Sequence, residues 1–329
     1  MSPRDRSGAT SARLLIVNAD DYGLTDKVSR AILRAHRDGI VTSTSVLTLS
    51  PAFESSVGWL RDVPRLGTGA HLAAVGEDPP LLSAAEIPTL VDKKGRLRLS
   101  WRQFLPRAAA GRIDPDDLRR EFAAQIERIQ AAGLTIDHFD THQNLHLWPM
   151  VGDVVMDLGA VHDVKVIRVT RSAAHSPVGV TVRRLAHRLE RRCRAQGWTF
   201  ARASTGLDEA GHLDLPSMIK ALHRLAATRA PSAELATHPG EPNDPARARY
   251  EWNYDWDAEF LALTSGTVRH AVKEYGFTLA TFADLAAARP DSAGTFDTEL
   301  DLTVDAGADP EVDPEADPER QDRPDASAT

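Results

Sequence analysis

Asp20 and Asp21 stand side by side where a short apolar run, Leu14-Leu15-Ile16-Val17, gives out. Adjacent carboxylates at the end of a buried strand repel each other unless a cation compensates them. Neighbouring side chains on an extended chain point to opposite sides, so the pair is expected to divide its work, one carboxylate on a cation and the other handling a proton. The competing reading is that one of them only caps the helix that follows. His71 ends another apolar stretch, Gly69-Ala70-His71-Leu72, and His138, Asp140 and His142 alternate ahead of His146, interleaved with Phe139, Leu145 and Leu147. Imidazole and carboxylate at that density among apolar residues point to ligation rather than to a solvated face. His238, in Thr237-His238-Pro239-Gly240, is one more imidazole at the end of an apolar segment. A lone histidine is as readily structural as functional, so the recurrence of such groups carries the argument, not any one of them.

The chain has one cysteine, Cys193, so neither a disulfide framework nor a thiolate site is available. A metal here must use oxygen and imidazole. That donor set suits zinc or another divalent first-row ion, and magnesium less naturally. Three protein ligands would leave positions for water, as a hydrolytic site requires. One divalent ion is therefore expected.

The elements that must hold these groups alternate along the chain. Strands are predicted at residues 14–17, 41–49, 66–72, 135–140, 164–169, 200–203, 234–237 and 277–280. Helices are predicted from Thr25-Asp26 to Gly39, from Asp114-Pro115 to Gly133, and over 151–160, 180–196, 215–229 and 258–275. Strand and helix trading places throughout predicts a parallel sheet, and polar clusters after several strands favour a barrel over an open sheet. Residues 75–106, with Pro79, Pro80 and Pro88, are expected as a long loop over that face.

Across its 329 residues the net charge is −8, but residues 291–329 hold 13 acidic residues against Arg320 and Arg323, so the rest is slightly basic. Residues 1–12 and this acidic tail are expected to be disordered, flanking a single domain over 13–290. The basic run around Arg191 has Val182, Leu185 and Leu189 at helical spacing, which predicts a solvated helix face and no nucleic-acid partner. No apolar run approaches the roughly 20 residues that span a bilayer, and a cytoplasmic protein without a membrane span is expected. A homo-oligomer is left open.

In order, VNADDYGL (17–24), GIVTSTSVL (39–47), GAHL (69–72), HFDTHQNLHLWP (138–149) and THPG (237–240) resemble the YdjC/ChbG-type carbohydrate deacetylases, including hopanoid-associated members. The resemblance spans roughly residues 13–285. It implies a distorted β/α barrel of the polysaccharide-deacetylase type and hydrolysis of N-acetyl groups on amino sugars or short glycans. By matching position it implies Asp21, His71 and His142 as metal ligands, Asp20 as general base and His238 as general acid. Where the family often has a run ending DSHxHxH, Asn144 replaces a common histidine, which directs expectation to substrate contacts. His146 is open between ligand and substrate contact. Arg168, after the strand at 164–167, is expected either to hold and orient Asp20 or to form only a surface ion pair. Trp148, Trp252, Tyr254 and Trp256 are candidates for stacking on sugar rings. A phosphate-ester or cyclic-amide hydrolase, or a sugar-binding protein without catalysis, are the rival readings.

Overall fold

The structure, a computed structural model, describes residues 13–288, so the expectations for residues 1–12 and for the acidic tail lie outside the described residues. In chain order the elements are β1 (Arg13–Tyr22), α1 (Asp26–Asp38), β2 (Ser43–Val46), α2 (Phe53–Ser56), β3 (Gly67–Leu72), α3 (Trp101–Ala109) and α4 (Pro115–Ala131). There follow β4 (His138–Thr141), a 3-10 segment His142–Leu147, α5 (Pro149–Val161), α6 (Pro177–Ala195), β5 (Ala203–Thr205) and α7 (Leu215–Ala227). The last are β6 (Ser232–Thr237), α8 (Trp256–Thr264), α9 (Gly266–Glu274), β7 (Phe277–Leu279) and α10 (Phe282–Ala287).

All strand pairs are parallel, in the order β4-β3-β2-β1-β6-β5. Single bridges, Phe139 to Ile167 and Val166 to Thr199, join the β4 side towards the segment that becomes β5. The sheet thereby curls into the distorted β/α barrel, with β7 added along the first residues of β1. Segment 164–169 thus contributes isolated bridges rather than the full strand expected, and the helix expected over 258–275 breaks at Ser265, which caps α9 through its side chain.

β1 is the axis of the site. From Leu15 to Tyr22 it is buried throughout, as expected for a strand covered on both faces. Its pairing with β2 slips between Ala19 and Tyr22, and Asp21 there has φ 67°. This irregularity overturns the expectation that the two aspartates point to opposite sides, because the left-handed residue turns Asp21 back to the side that Asp20 faces. Gly23, at φ 96°, then lets the Leu47 carbonyl approach to 2.8 Å of where a Cβ would stand. Thr25 accepts from the Val28 amide and caps α1, so neither aspartate is spent on capping.

The expected long loop contains α3 and is held down by polar groups of α4. Buried Glu121 accepts from the Leu81 and Leu82 amides, Gln125 bonds the Ala73 backbone, and Asp117 accepts from Thr89. Each satisfies loop amides that would otherwise be buried without partners.

Candidate metal and catalytic site

Because the strands are parallel, their C-terminal ends bring together groups far apart in sequence. Asp20 and Asp21 end β1, His71 lies on β3, Asp140 on β4, His142 just beyond it, Arg168 beyond the bridge at Ile167, and His238 just beyond β6. All are buried.

Three donor atoms form a nearly equilateral triangle. His71 Nε2 and His142 Nδ1 each lie 3.4 Å from Asp21 Oδ1, and 3.3 Å from each other. Ligand atoms about 2.0–2.1 Å from one tetrahedral zinc-like ion are separated by roughly these distances. Asp21 Oδ1 is buried and has no hydrogen-bond partner among the described residues, so it has a lone pair for a cation. Asp20, His71 and Asp140 also converge. The oxygens of Asp20 and Asp140 are already engaged by Arg168, so the Asp21, His71 and His142 set is the one that fits a divalent ion.

Burial alone would raise the Asp21 carboxyl, but His142 and His71 outweigh it and hold it well below the usual range. Burial would lower His71, yet the Asp140 and Asp21 carboxylates hold it up at about 10. Asp140 Oδ1 accepts from His71 Nδ1 at 2.7 Å, the outer contact that orients a ligating imidazole.

Arg168 is the centre of the second group. Its two terminal nitrogens grip Asp20 Oδ2 at 2.7 Å and Oδ1 at 2.6 Å, one also reaches Asp140 Oδ2 at 2.8 Å, and Nε faces Glu234. Asn18 donates to Asp20 Oδ1 at 2.7 Å, and to Ser45, which donates to Asp140 Oδ2 at 2.7 Å. Oδ1 of Asp20 therefore has two donors. Oδ2 has one and faces His238 Nε2 at 3.8 Å. The backbone amide of His238 donates to buried Glu259, and Tyr254 lies edge-on to its ring at 5.0 Å. Trp252, bonded through Nε1 to Glu77, tilts over His142 at 5.2 Å.

Other expected residues stand apart. His146 is fully buried, with Nδ1 on the Thr141 hydroxyl at 2.9 Å and Nε2 donating to the Arg168 carbonyl at 3.0 Å, so neither nitrogen is left for a metal or a sugar. Burial, the largest cause, lowers it to about 4 and keeps the ring neutral. Asn144 accepts from Thr170 at 2.6 Å, and Trp148 packs half-buried against the core. Sequence reasoning passed over Glu234, Ser45, Asn18 and Glu259. A carboxylate inside the wholly buried strand Ser232–Thr237 was the one available signal for Glu234.

A parallel β/α barrel with a two-histidine, one-carboxylate triangle at its strand ends, backed by a buried arginine, defines the class. The chain belongs to the YdjC-like protein family, which it matches over residues 14–274. It is similar to the carbohydrate deacetylase of Brevibacillus brevis, 35% identical over 152 residues that cover 46% of this chain and 58% of that protein. The matched stretch thus spans little more than half of that relative's length. The chitooligosaccharide deacetylase of Proteus mirabilis is 28% identical over 83% of this chain and 99% of its own. A crystal structure from Enterococcus faecalis, whose name assigns it provisionally to cellobiose-phosphate cleavage, superposes with a TM-score of 0.70 at 25% identity. That superposition covers 84% of this chain and 99% of the other. Among the described residues no helix is long and apolar enough to cross a membrane.

Proposed function

We propose that the chain is a metal-dependent hydrolase that removes N-acetyl groups from amino sugars or short N-acetylated glycans. The observation that carries the reading is the donor triangle of Asp21, His71 and His142 beside a carboxylate and an imidazole, Asp20 and His238, that face each other at 3.8 Å. The names of the relatives, carbohydrate and chitooligosaccharide deacetylase, support the substrate class. Asp21, His71 and His142 would hold one divalent ion, zinc or another first-row metal more naturally than magnesium, given two imidazoles. Such an ion supplies Lewis acidity toward an acetamide carbonyl and a more acidic water.

The protein's own groups then divide the proton work. Asp20 Oδ2 has the free lone pair and takes the proton of the attacking water, while Asn18 and Arg168 hold Oδ1 still. An amine leaves poorly unless protonated, and His238 Nε2 delivers that proton to the nitrogen. Trp252 and Tyr254 flank His142 and His238 and offer ring faces and edges to a sugar. Arg168, the guanidinium at the centre, already faces three carboxylates, so a phosphate ester would find no free cation there. A neutral acetamide meets no such repulsion. The cytoplasmic setting expected from the lack of a bilayer-spanning apolar run belongs to the same proposal.

The test is acetate release from a panel of N-acetylglucosamine-containing substrates by metal-stripped protein, with zinc, cobalt, manganese or magnesium returned. Metal-dependent release is expected. Failure with every metal and every acetylated sugar, alongside turnover of a phosphate ester or cyclic amide, would overturn the reading.

A further inference from the structure

Glu234 sits on β6 opposite Ile16 of β1 and is 1% exposed. Its Oε1 accepts from Arg168 Nε at 2.5 Å, while Oε2 has no partner among the described residues. Such a group is costly to bury.

A guanidinium can present two different edges to a carboxylate, the pair of terminal nitrogens or Nε with one of them. With Nε taken by Glu234, only the terminal pair is left for Asp20. That arrangement is also the one in which a single terminal nitrogen reaches both Asp20 Oδ2 and Asp140 Oδ2, at 2.7 and 2.8 Å. Were the guanidinium to swing and grip Asp20 through Nε, the link to Asp140, and so to His71, would be lost.

We infer that Glu234 is a positioning residue that selects which edge of Arg168 faces Asp20, and thereby sets Asp20 and the Asp140–His71 pair in one frame. Its part in turnover rests on the proposed deacetylase reading; its grip on Arg168 does not. Burial, and then the Asp20 and Asp140 charges, raise the Glu234 carboxyl although Arg168 pulls the other way.

Two variants separate hydrogen bonding from charge and bulk. Glu234→Gln keeps an acceptor for Nε and is expected to hold kcat within about threefold. Glu234→Leu removes it, and kcat is expected to fall about 10- to 100-fold with KM within about twofold, the range for a reacting group displaced by about an ångström. An independent readout is the side-chain Nε–H resonance of Arg168, identified by its disappearance in Arg168→Lys. It should be downfield and slowly exchanging in the wild type and in Glu234→Gln, and should move or vanish in Glu234→Leu. Retention of kcat in Glu234→Leu, an equal loss in both variants, or a rise in KM alone would overturn the inference. If Glu234→Leu does not fold, the Nε–H resonance of Glu234→Gln decides, an unprotected signal counting against us. If the wild type releases no acetate from any substrate, the deacetylase reading fails while the resonance still judges the grip on Arg168.

Discussion

Asp140 is buried and accepts hydrogen bonds from His71 Nδ1 at 2.7 Å and Ser45 at 2.7 Å, with the Arg168 guanidinium in an ion pair at 2.8 Å. Asp140→Asn preserves its shape and removes one acceptor atom. If the amide oxygen stays on His71, the NH2 group opposes the Arg168 and Ser45 donors. If it flips, the NH2 opposes the His71 Nδ1–H. Either way a buried donor is left without an acceptor, a cost of about 1–3 kcal/mol. His71 also loses the charge that makes it a strong ligand. Outer contacts of this kind alter metal affinity about 10- to 100-fold, or roughly 1.4–2.7 kcal/mol. We expect a loss in that range for Asp140→Asn, measured by zinc competition against a chromophoric chelator at neutral pH, with kcat at saturating metal reduced as well. Affinity within about threefold of the wild type in a variant that melts cooperatively would show that Asp140 does not tune His71, and the geometry would have been read wrongly.

Asp20→Asn should lose turnover while retaining metal, whereas His142→Ala should lose both; full activity in Asp20→Asn would move the proton role elsewhere. His146 has its folded pKa at about 4 against a usual value of about 6.5, so the folded state binds fewer protons than the unfolded one between those limits. Its contribution, on the order of 3 kcal/mol, is fully present above about pH 6.5 and is lost as pH falls toward about 4. Chemical denaturation of metal-free protein should show that slope, and His146→Gln should flatten it. Gly69→Ala would place a Cβ 2.2 Å from the His138 ring, which Phe282 stacks against at 4.0 Å. A stability loss of about 1–3 kcal/mol is expected by urea titration, and an unchanged midpoint would mean His138 is free to move.

The groups at 20–21, 71, 140–142 and 238 were legible as a set because each is a polar interruption at the end of an apolar segment, and parallel strands of alternating β/α units must share one end. The slip at Asp21 was not legible. Nothing in Asn18-Ala19-Asp20-Asp21 distinguishes extended backbone from a left-handed aspartate, since that choice is made by the pairing with β2. His146 misled for a related reason. Its spacing from His142 suits a shared helical face, but Gln143 and Asn144 adopt φ 54° and 53°, which turns the segment and sends the His146 ring to the Arg168 carbonyl instead. Of the partners of Arg168, Asp20 was expected, whereas Glu234 was hidden because it comes from a strand far away in sequence and a lone glutamate in Ser232–Thr237 does not announce its cation.

Four buried carboxylates, Asp20, Asp21, Asp140 and Glu234, gather around one guanidinium and the His71 imidazole. Such a cluster is weak evidence of stability, since burying charge costs several kcal/mol per ion and apolar side chains of similar volume often do as well. The arrangement makes sense as a division of space. Arg168 commands the inner side, where it balances Asp20 and Asp140 and fixes their oxygens. Asp21 lies beyond its reach, with one oxygen unpartnered and two imidazole nitrogens at equal distance. The excess negative charge thus accumulates at the one place where two neutral nitrogen donors can join it in holding a divalent cation, and the same guanidinium that makes this partition keeps Asp20 Oδ2 turned toward His238.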